Sequence, residues 1–184
     1  MTNILKSLVM PIFDFSRVKT VVSYSIATGF GAGFSRYIPG TVGTIWAWIT
    51  FLILDYILTD VFLIFTILST FIIGILVSNF VEEDLKKKDA SEIVIDEIVA
   101  FWVVLFFLPR GDDLLVLSHG PGNDFPLIQI QAFFLFRFFD IFKPWPTNWV
   151  DKKVHGGLGV MLDDIVAAFQ TLLILSVLHR LELT

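Results

Sequence analysis

Residues 44–80 read TIWAWITFLILDYILTDVFLIFTILSTFIIGILVSNF, and this stretch decides the fold. A membrane span needs about 20 mostly apolar residues. Val61 to Phe80 meets that length, whereas Thr44 to Leu58 is shorter and carries Asp55. Only Thr59-Asp60 separates the two runs, so together they read as a helical hairpin with a tight acidic turn. The short first arm leaves three readings open: a full span, a re-entrant segment or an interfacial helix. Three more apolar runs follow. Ile93 to Leu108 holds Asp96 and Glu97 near its start, Leu127 to Phe142 holds Arg137 and Asp140 near its end, and Leu162 to Leu181 opens on Asp163-Asp164. The alternation of a β-barrel is absent, and in lipid only helices or closed barrels satisfy the backbone. The expected fold is all-α: a polytopic integral membrane bundle of about five hydrophobic helices, one domain over residues 1–184.

Composition agrees. The 184 residues are 55% apolar and 17% charged, with a mean hydropathy of +0.79; a soluble domain carries roughly 45–50% and about 25%. Phe contributes 20 residues against 13 for Lys and Arg together. A soluble chain of this size leaves about a third of its unfolded surface exposed, too much to hide so many apolar side chains. A net charge of −5 and a pI near 5.0 argue against a nucleic-acid partner. With no Cys, thiolate catalysis and Cys-based metal centres are excluded. His119, His155 and His179 form no ligand pair at helical spacing. The N-terminal MTNILKSLVMPIFDF has too short an apolar run for a signal peptide, so no cleavage is expected.

Basic residues set the orientation. Lys6, Arg17, Lys19 and Arg36 precede the hairpin; Lys86, Lys87 and Lys88 follow it; Lys143, Lys152 and Lys153 follow the fourth run. The other side holds only Arg110 and the terminal Arg180. By the positive-inside rule, residues 1–43 form a cytoplasmic segment containing a Gly-rich loop, the 81–92 and 143–160 loops share its side, and 44–184 form the bundle. Trp145 and Trp149 stand where an aromatic belt would lie, and five spans place the C-terminus outside.

Ionisable residues inside spans cost roughly 2.5–3.5 kcal/mol each on insertion scales and point to function. Here depth is informative. Asp96 and Glu97, Asp163 and Asp164, and Arg137, Asp140 and Lys143 all fall within roughly 10 Å of one interface at 1.5 Å per residue. Any one of them could be a snorkelling or ion-paired residue at a helix end. As a set that reading weakens, because Asp-Glu and Asp-Asp doublets repel unless a cation neutralises them. Clustered carboxylates without His or Cys suit Mg²⁺, and adjacent Arg and Lys suit a phosphate. The stretch from Thr28 to Thr44, TGFGAGFSRYIPGTVGT, faces the same side and carries five glycines. Its backbone N–H groups and the helix start beyond it could receive an anion or simply form a loop entering a helix. The segment from His155 to Gly159 is equally ambiguous.

These motifs in this order resemble one family. Thr28-Gly-x-Gly-x-Gly, Pro39-Gly-Thr-x-Gly43, Ile95-Asp-Glu97, Phe136-Arg-x-x-Asp-x-x-Lys-Pro-Trp-Pro146, Asp151, Gly156-Gly-x-Gly159 and Asp163-Asp164 closely resemble the phosphatidylglycerophosphatase A family over residues 28–168. The resemblance implies a Mg²⁺-dependent phosphatase of the bacterial inner membrane, its site facing the cytoplasm. Such an enzyme converts the phospholipid phosphatidylglycerophosphate to phosphatidylglycerol. On this basis Asp96, Glu97, Asp163 and Asp164 are expected to hold Mg²⁺. Asp140, Asp164, Arg137 and Lys143 are the expected catalytic groups. Thr28, Gly31, Ser35, Gly40, Thr41 and Gly43, with Arg137 and Lys143, are expected to receive the phosphate. The nucleophile is a water or a carboxylate, Asp140 or Asp164. Departures from the family pattern are Arg36 for Pro, Val42 for an aromatic, and Ala100 and Ala168 for glycines; none removes a charged group. The acidic 112–124 segment reads as an insertion on the far side. Of the rivals, a histidine-nucleophile phosphatase lacks its Pro-Ser-Gly-His segment. A CDP-alcohol phosphotransferase lacks its array of four Asp. A small transporter or scaffold would spread its charges through the membrane depth.

Overall fold

The computed structural model describes residues 15–88, 90–108 and 125–182. The acidic 112–124 segment, His119, Lys6 and Arg110 lie outside the described residues. Among the described residues seven α-helices form: α1 (Phe15–Ala27), α2 (Pro39–Ile57), α3 (Asp60–Leu85), α4 (Ile95–Phe107), α5 (Phe125–Phe142), α6 (Thr147–Lys153) and α7 (Gly157–Glu182). One 3-10 turn, Ala32–Phe34, separates α1 from α2, and no strand occurs among the described residues.

The hairpin forms, and its first arm is longer than expected. Pro39 sits in the first turn of α2, where its missing N–H costs nothing and its fixed φ favours the helix. That start adds a turn ahead of Thr44, so α2 reaches 19 residues. Among the described residues, α2, α3 and α7 are long and apolar enough to cross a membrane. The two arms diverge: α2 packs on α4, and α3 packs on α1 and α7.

The third apolar run is the departure from expectation. Its helix, α4, has 13 residues, about 20 Å of rise against a hydrocarbon core of about 30 Å. It is the buried centre of the bundle, with Val99, Ala100, Phe101 and Val104 fully enclosed. A helix apolar on every side can be a span or a sheathed core helix. Here α2 and α7 sheathe it, with α3 and α5 completing the ring. Asp96 and Glu97 fall in its first turn, and Asp163 and Asp164 lie two turns inside α7, which begins at Gly157 rather than Leu162.

Aromatic packing ties α2, α4 and α5 together. Phe101 stands 5.5 Å from Phe136 and 6.1 Å from Phe133, whose ring stacks on Trp48 at 6.0 Å. The Trp48 indole N–H donates to Gln129 at 2.6 Å, which satisfies an amide that is only 4% exposed. Gly157 lets α7 cross α3 closely: its N–H donates to Asn79 Oδ1 at 2.7 Å, and a Cβ there would strike the backbone of α3 at Ile75 and Asn79. Phe62, Phe65, Ile72 and Leu76 on α3 and Phe134, Phe138 and Ile141 on α5 project outward. Exposed apolar faces of this extent belong in lipid, and the protein is a membrane protein.

Candidate active site

Helix geometry gathers the charged residues at one end of the bundle. The starts of α2, α4 and α7 meet there with the ends of α3 and α5, and α6 is docked beside them on α7. A cavity of about 410 Å³ opens between them, lined by Gly40, Thr41, Asp96, Glu97, Arg137, Asp140, Lys143, Asp163 and Asp164. Three neighbouring helices thus present their ionisable residues to one space, whereas charges serving a transport path would run along the depth.

Carboxylate oxygens of Asp96, Glu97 and Asp164 lie within 4.8 Å of one another. Asp96 and Asp164 are buried, and Glu97 Oε2 and Asp164 Oδ2 are buried with no hydrogen-bond partner. Three enclosed or half-buried carboxylates this close repel one another unless a cation lies between them. Arg137 forms the adjoining wall. Its Nη1 lies 2.5 Å from Asp140 Oδ2, 3.7 Å from Glu97 Oε1 and 3.5 Å from Thr44 Oγ1, while its Nε has no partner.

Gly40 makes this packing possible. A Cβ at that position would stand 2.9 Å from Arg137 Nη2 and 3.0 Å from Nη1, and closer still to Glu97 Oε1. No side chain caps α2, so the Gly40 and Thr41 N–H groups, which have no intrahelical acceptor, turn their partial positive charge toward the cavity. Lys143, just past α5, donates to Asp151 at 2.7 Å and to Asp163. Its burial opposes the charge, yet the two carboxylates overcome that and hold the ammonium pKa above its ordinary value. Lys143 therefore stays cationic across the physiological range.

The expected site residues divide. Gly40, Thr41, Asp96, Glu97, Arg137, Asp140, Lys143, Asp163 and Asp164 converge on the cavity. Within it Asp163 faces Lys143, and the close carboxylate group is Asp96, Glu97 and Asp164. Thr28, Gly31, Ser35 and Gly43 do not line it. The Thr28 hydroxyl accepts the Gly31 N–H at 3.2 Å within the turn after α1. Ser35 ends the 3-10 turn, and Gly43 packs against Val94. Gly40, Thr41 and Gly43 belong to α2 rather than to a loop. Tyr37 and Ser91 also line the cavity, which no spacing in the sequence marks, and Asp151, one of the motif positions, braces Lys143.

Comparison with known proteins places this arrangement. Residues 25–179, which include every residue lining the cavity, match the family described as Phosphatidylglycerophosphatase A. The chain belongs to that family. It is 33% identical to Phosphatidylglycerophosphatase A of Escherichia coli over 142 residues, 77% of this chain and 74% of the relative. It is 35% identical to the Haemophilus influenzae protein of the same name over 81% of this chain and 83% of the relative. A Bacteroides thetaiotaomicron protein, provisionally named phosphatidylinositol-3-phosphatase, is 35% identical over 83% of this chain and 90% of its own length. No solved structure matches the chain at a significant level.

Proposed function

We propose that the protein is a phosphatidylglycerophosphatase that spans a bacterial inner membrane several times and uses Mg²⁺ at the cytoplasmic headgroup level. It would remove the terminal phosphate of phosphatidylglycerophosphate to leave phosphatidylglycerol. The observation carrying this reading is the close Asp96, Glu97 and Asp164 carboxylate group set against Arg137 in one cavity, within a chain of this family.

A phosphomonoester is nearly a dianion, so it cannot approach three carboxylates without an intervening cation. The residues fit one. Glu97 Oε2 and Asp164 Oδ2 are buried and unpartnered, and an all-oxygen donor set without His or Cys matches a hard divalent ion. Asp96, Glu97 and Asp164 would hold Mg²⁺. The chemistry supplied by Mg²⁺ bound there is polarisation of the phosphoryl group and acidification of water.

The protein's own groups position the ester. Arg137 and the Gly40 and Thr41 amides would offer donors to the phosphoryl oxygens, and Lys143 would add a positive charge. Phosphoryl transfer depends on such placement and charge neutralisation more than on covalent help. Asp140 Oδ2 lies 2.5 Å from Arg137 Nη1, so Asp140 would hold the guanidinium in place beside the ester. One water is consumed: its oxygen joins phosphorus, the ester P–O bond breaks, and the released alcohol takes a proton.

Phosphate release by the purified protein in detergent tests the reading. Release from phosphatidylglycerophosphate is expected to stop with chelator, to return with Mg²⁺, and to exceed release from phosphatidylinositol-3-phosphate. No chelator-sensitive release from either lipid would overturn it, and a preference for the inositol lipid would reassign the substrate.

A further inference from the structure

Lys143 has a backbone conformation that only its side chain explains. Its φ is 42°, in the left-handed region that glycine usually fills just past a helix. Its N–H donates to the Phe139 carbonyl at 2.9 Å and closes the last turn of α5. A lysine held there at a conformational cost directs attention to what its ammonium does. Lys143 Nζ donates to Asp151 Oδ1 at 2.7 Å and to Asp163 Oδ2. Asp163 is itself fixed, because its other oxygen accepts the Asp164 N–H at 3.1 Å.

The two carboxylates hold the ammonium from the side away from the catalytic cavity. Asp151 lines a smaller cavity of about 110 Å³ beside His155 and Gly156, and it does not line the catalytic one. Lys143 lines the catalytic cavity and not the smaller one, and Asp163 stands in the wall of both. An ammonium carries three N–H donors in a tetrahedral array. With two of them engaged by Asp151 and Asp163, the direction of the third is set, and it is left for the cavity that Lys143 lines. With Asp163 alone, the ammonium could turn about a single bond. Stability does not account for Asp151. Its side chain is 39% exposed, and ion pairs open to solvent contribute little. Its helix, α6, is docked by other means: Thr147 is fully buried and its hydroxyl donates to Gln170 Oε1 at 2.5 Å, while the Gln170 amide donates to the Trp145 carbonyl at 3.1 Å.

We propose that Asp151 is a positioning residue, which holds the Lys143 ammonium so that its third N–H faces the phosphoryl group in the catalytic cavity. The assignment rests on the phosphatase reading. Asp151 itself touches no substrate and acts only through Lys143. Asp151→Ala is expected to lower kcat/KM for phosphatidylglycerophosphate about tenfold, as a charged donor is kept but misdirected. In Lys143→Met the same substitution should change kcat/KM by less than about twofold, because no ammonium is left to aim. Asp151→Asn, which keeps an acceptor in place, should fall between the unaltered protein and Asp151→Ala.

A binding measurement makes the same comparison without turnover. The Kd for inorganic phosphate with Mg²⁺ present, read from ³¹P line broadening in detergent, should rise several-fold in Asp151→Ala. Adding Asp151→Ala to Lys143→Met should leave that Kd where Lys143→Met alone puts it. Lys143→Gln, whose amide can still serve the buried Asp163, takes the place of Lys143→Met if that variant does not fold. A loss of the same size with and without Lys143, or no loss with it, would overturn the assignment, since Asp151 would then act through the fold or not at all. Phosphate binding that follows the expected pattern without any release of phosphate from lipid would instead overturn the phosphatase reading and uphold Asp151 and Lys143 as an anion-orienting pair.

Discussion

At the residue scale, Gly40 shows how closely the parts of the site are packed. Its missing Cβ is what admits the Arg137 guanidinium and the Glu97 carboxylate to the start of α2. Gly40→Ala is expected to lower phosphate release at least about tenfold, because displacing a charge-stabilising donor by a fraction of an ångström weakens it steeply. Helix content by circular dichroism should stay unchanged, and full activity in the variant would show that the approach of Arg137 is dispensable. The charged residues of this site were legible as chemistry because carboxylate doublets in apolar runs are costly to bury and repel unless a cation joins them. Their partners were not. Asp151 reaches Lys143 only because Pro144, Trp145 and Pro146 turn the chain from α5 into α6, which no spacing rule expresses. Thr28 and Gly31 read as phosphate ligands but satisfy each other in a turn, where a hydroxyl and an N–H meet locally before they can serve a ligand.

At the element scale, apolar run length mapped the helices well and their environment poorly. The run from Ile93 to Leu108 carries the hydropathy of a span, yet α4 is too short for one and is enclosed by its neighbours. Hydropathy reports transfer out of water and does not distinguish lipid from protein as the destination. The N-terminal α1 is held to α3 by polar contacts near the membrane surface. The Tyr24 hydroxyl donates to Asp84 at 2.7 Å, and Lys19 sits 4.6 Å from the Phe80 ring centroid. Partial burial and the Asp84 carboxylate push the Tyr24 phenol up from its ordinary value to about 12. A raised pKa means that the folded protein favours the neutral phenol. The tether is therefore complete below pH 10 and is lost as the pH rises toward 12. A tyrosinate absorbance titration in detergent should show a late step that disappears in Tyr24→Phe and moves to lower pH in Asp84→Asn. A late step that survives in Tyr24→Phe would exclude this contact as its origin.

At the scale of the whole molecule, the chain gathers its candidate catalytic groups at one end of the helical bundle. The ends of α3 and α5 and the starts of α2, α4 and α7 share one side, with Lys143 in the cavity wall and Lys86, Lys87 and Lys88 just past the end of α3. That common side was legible from charge because loops joining helices at one end must lie together. How far the hairpin arms separate was not, since it depends on which face each arm buries. The absence of Cys makes the topology open to direct labelling. In intact spheroplasts, Lys88→Cys should resist a membrane-impermeant maleimide until the membrane is permeabilised, whereas Thr59→Cys at the hairpin turn should react at once. The reverse pattern would place the catalytic cavity outside the cell.

The central claim is that Asp96, Glu97 and Asp164 form a cation-dependent phosphomonoesterase centre beside Arg137. Phosphate release from phosphatidylglycerophosphate by Glu97→Gln and Asp164→Asn, each near-isosteric, measures it most directly. Removal of one charged oxygen from the group should lower release by about 100-fold or more in both variants while the helical bundle stays folded. Full activity in both would contradict it.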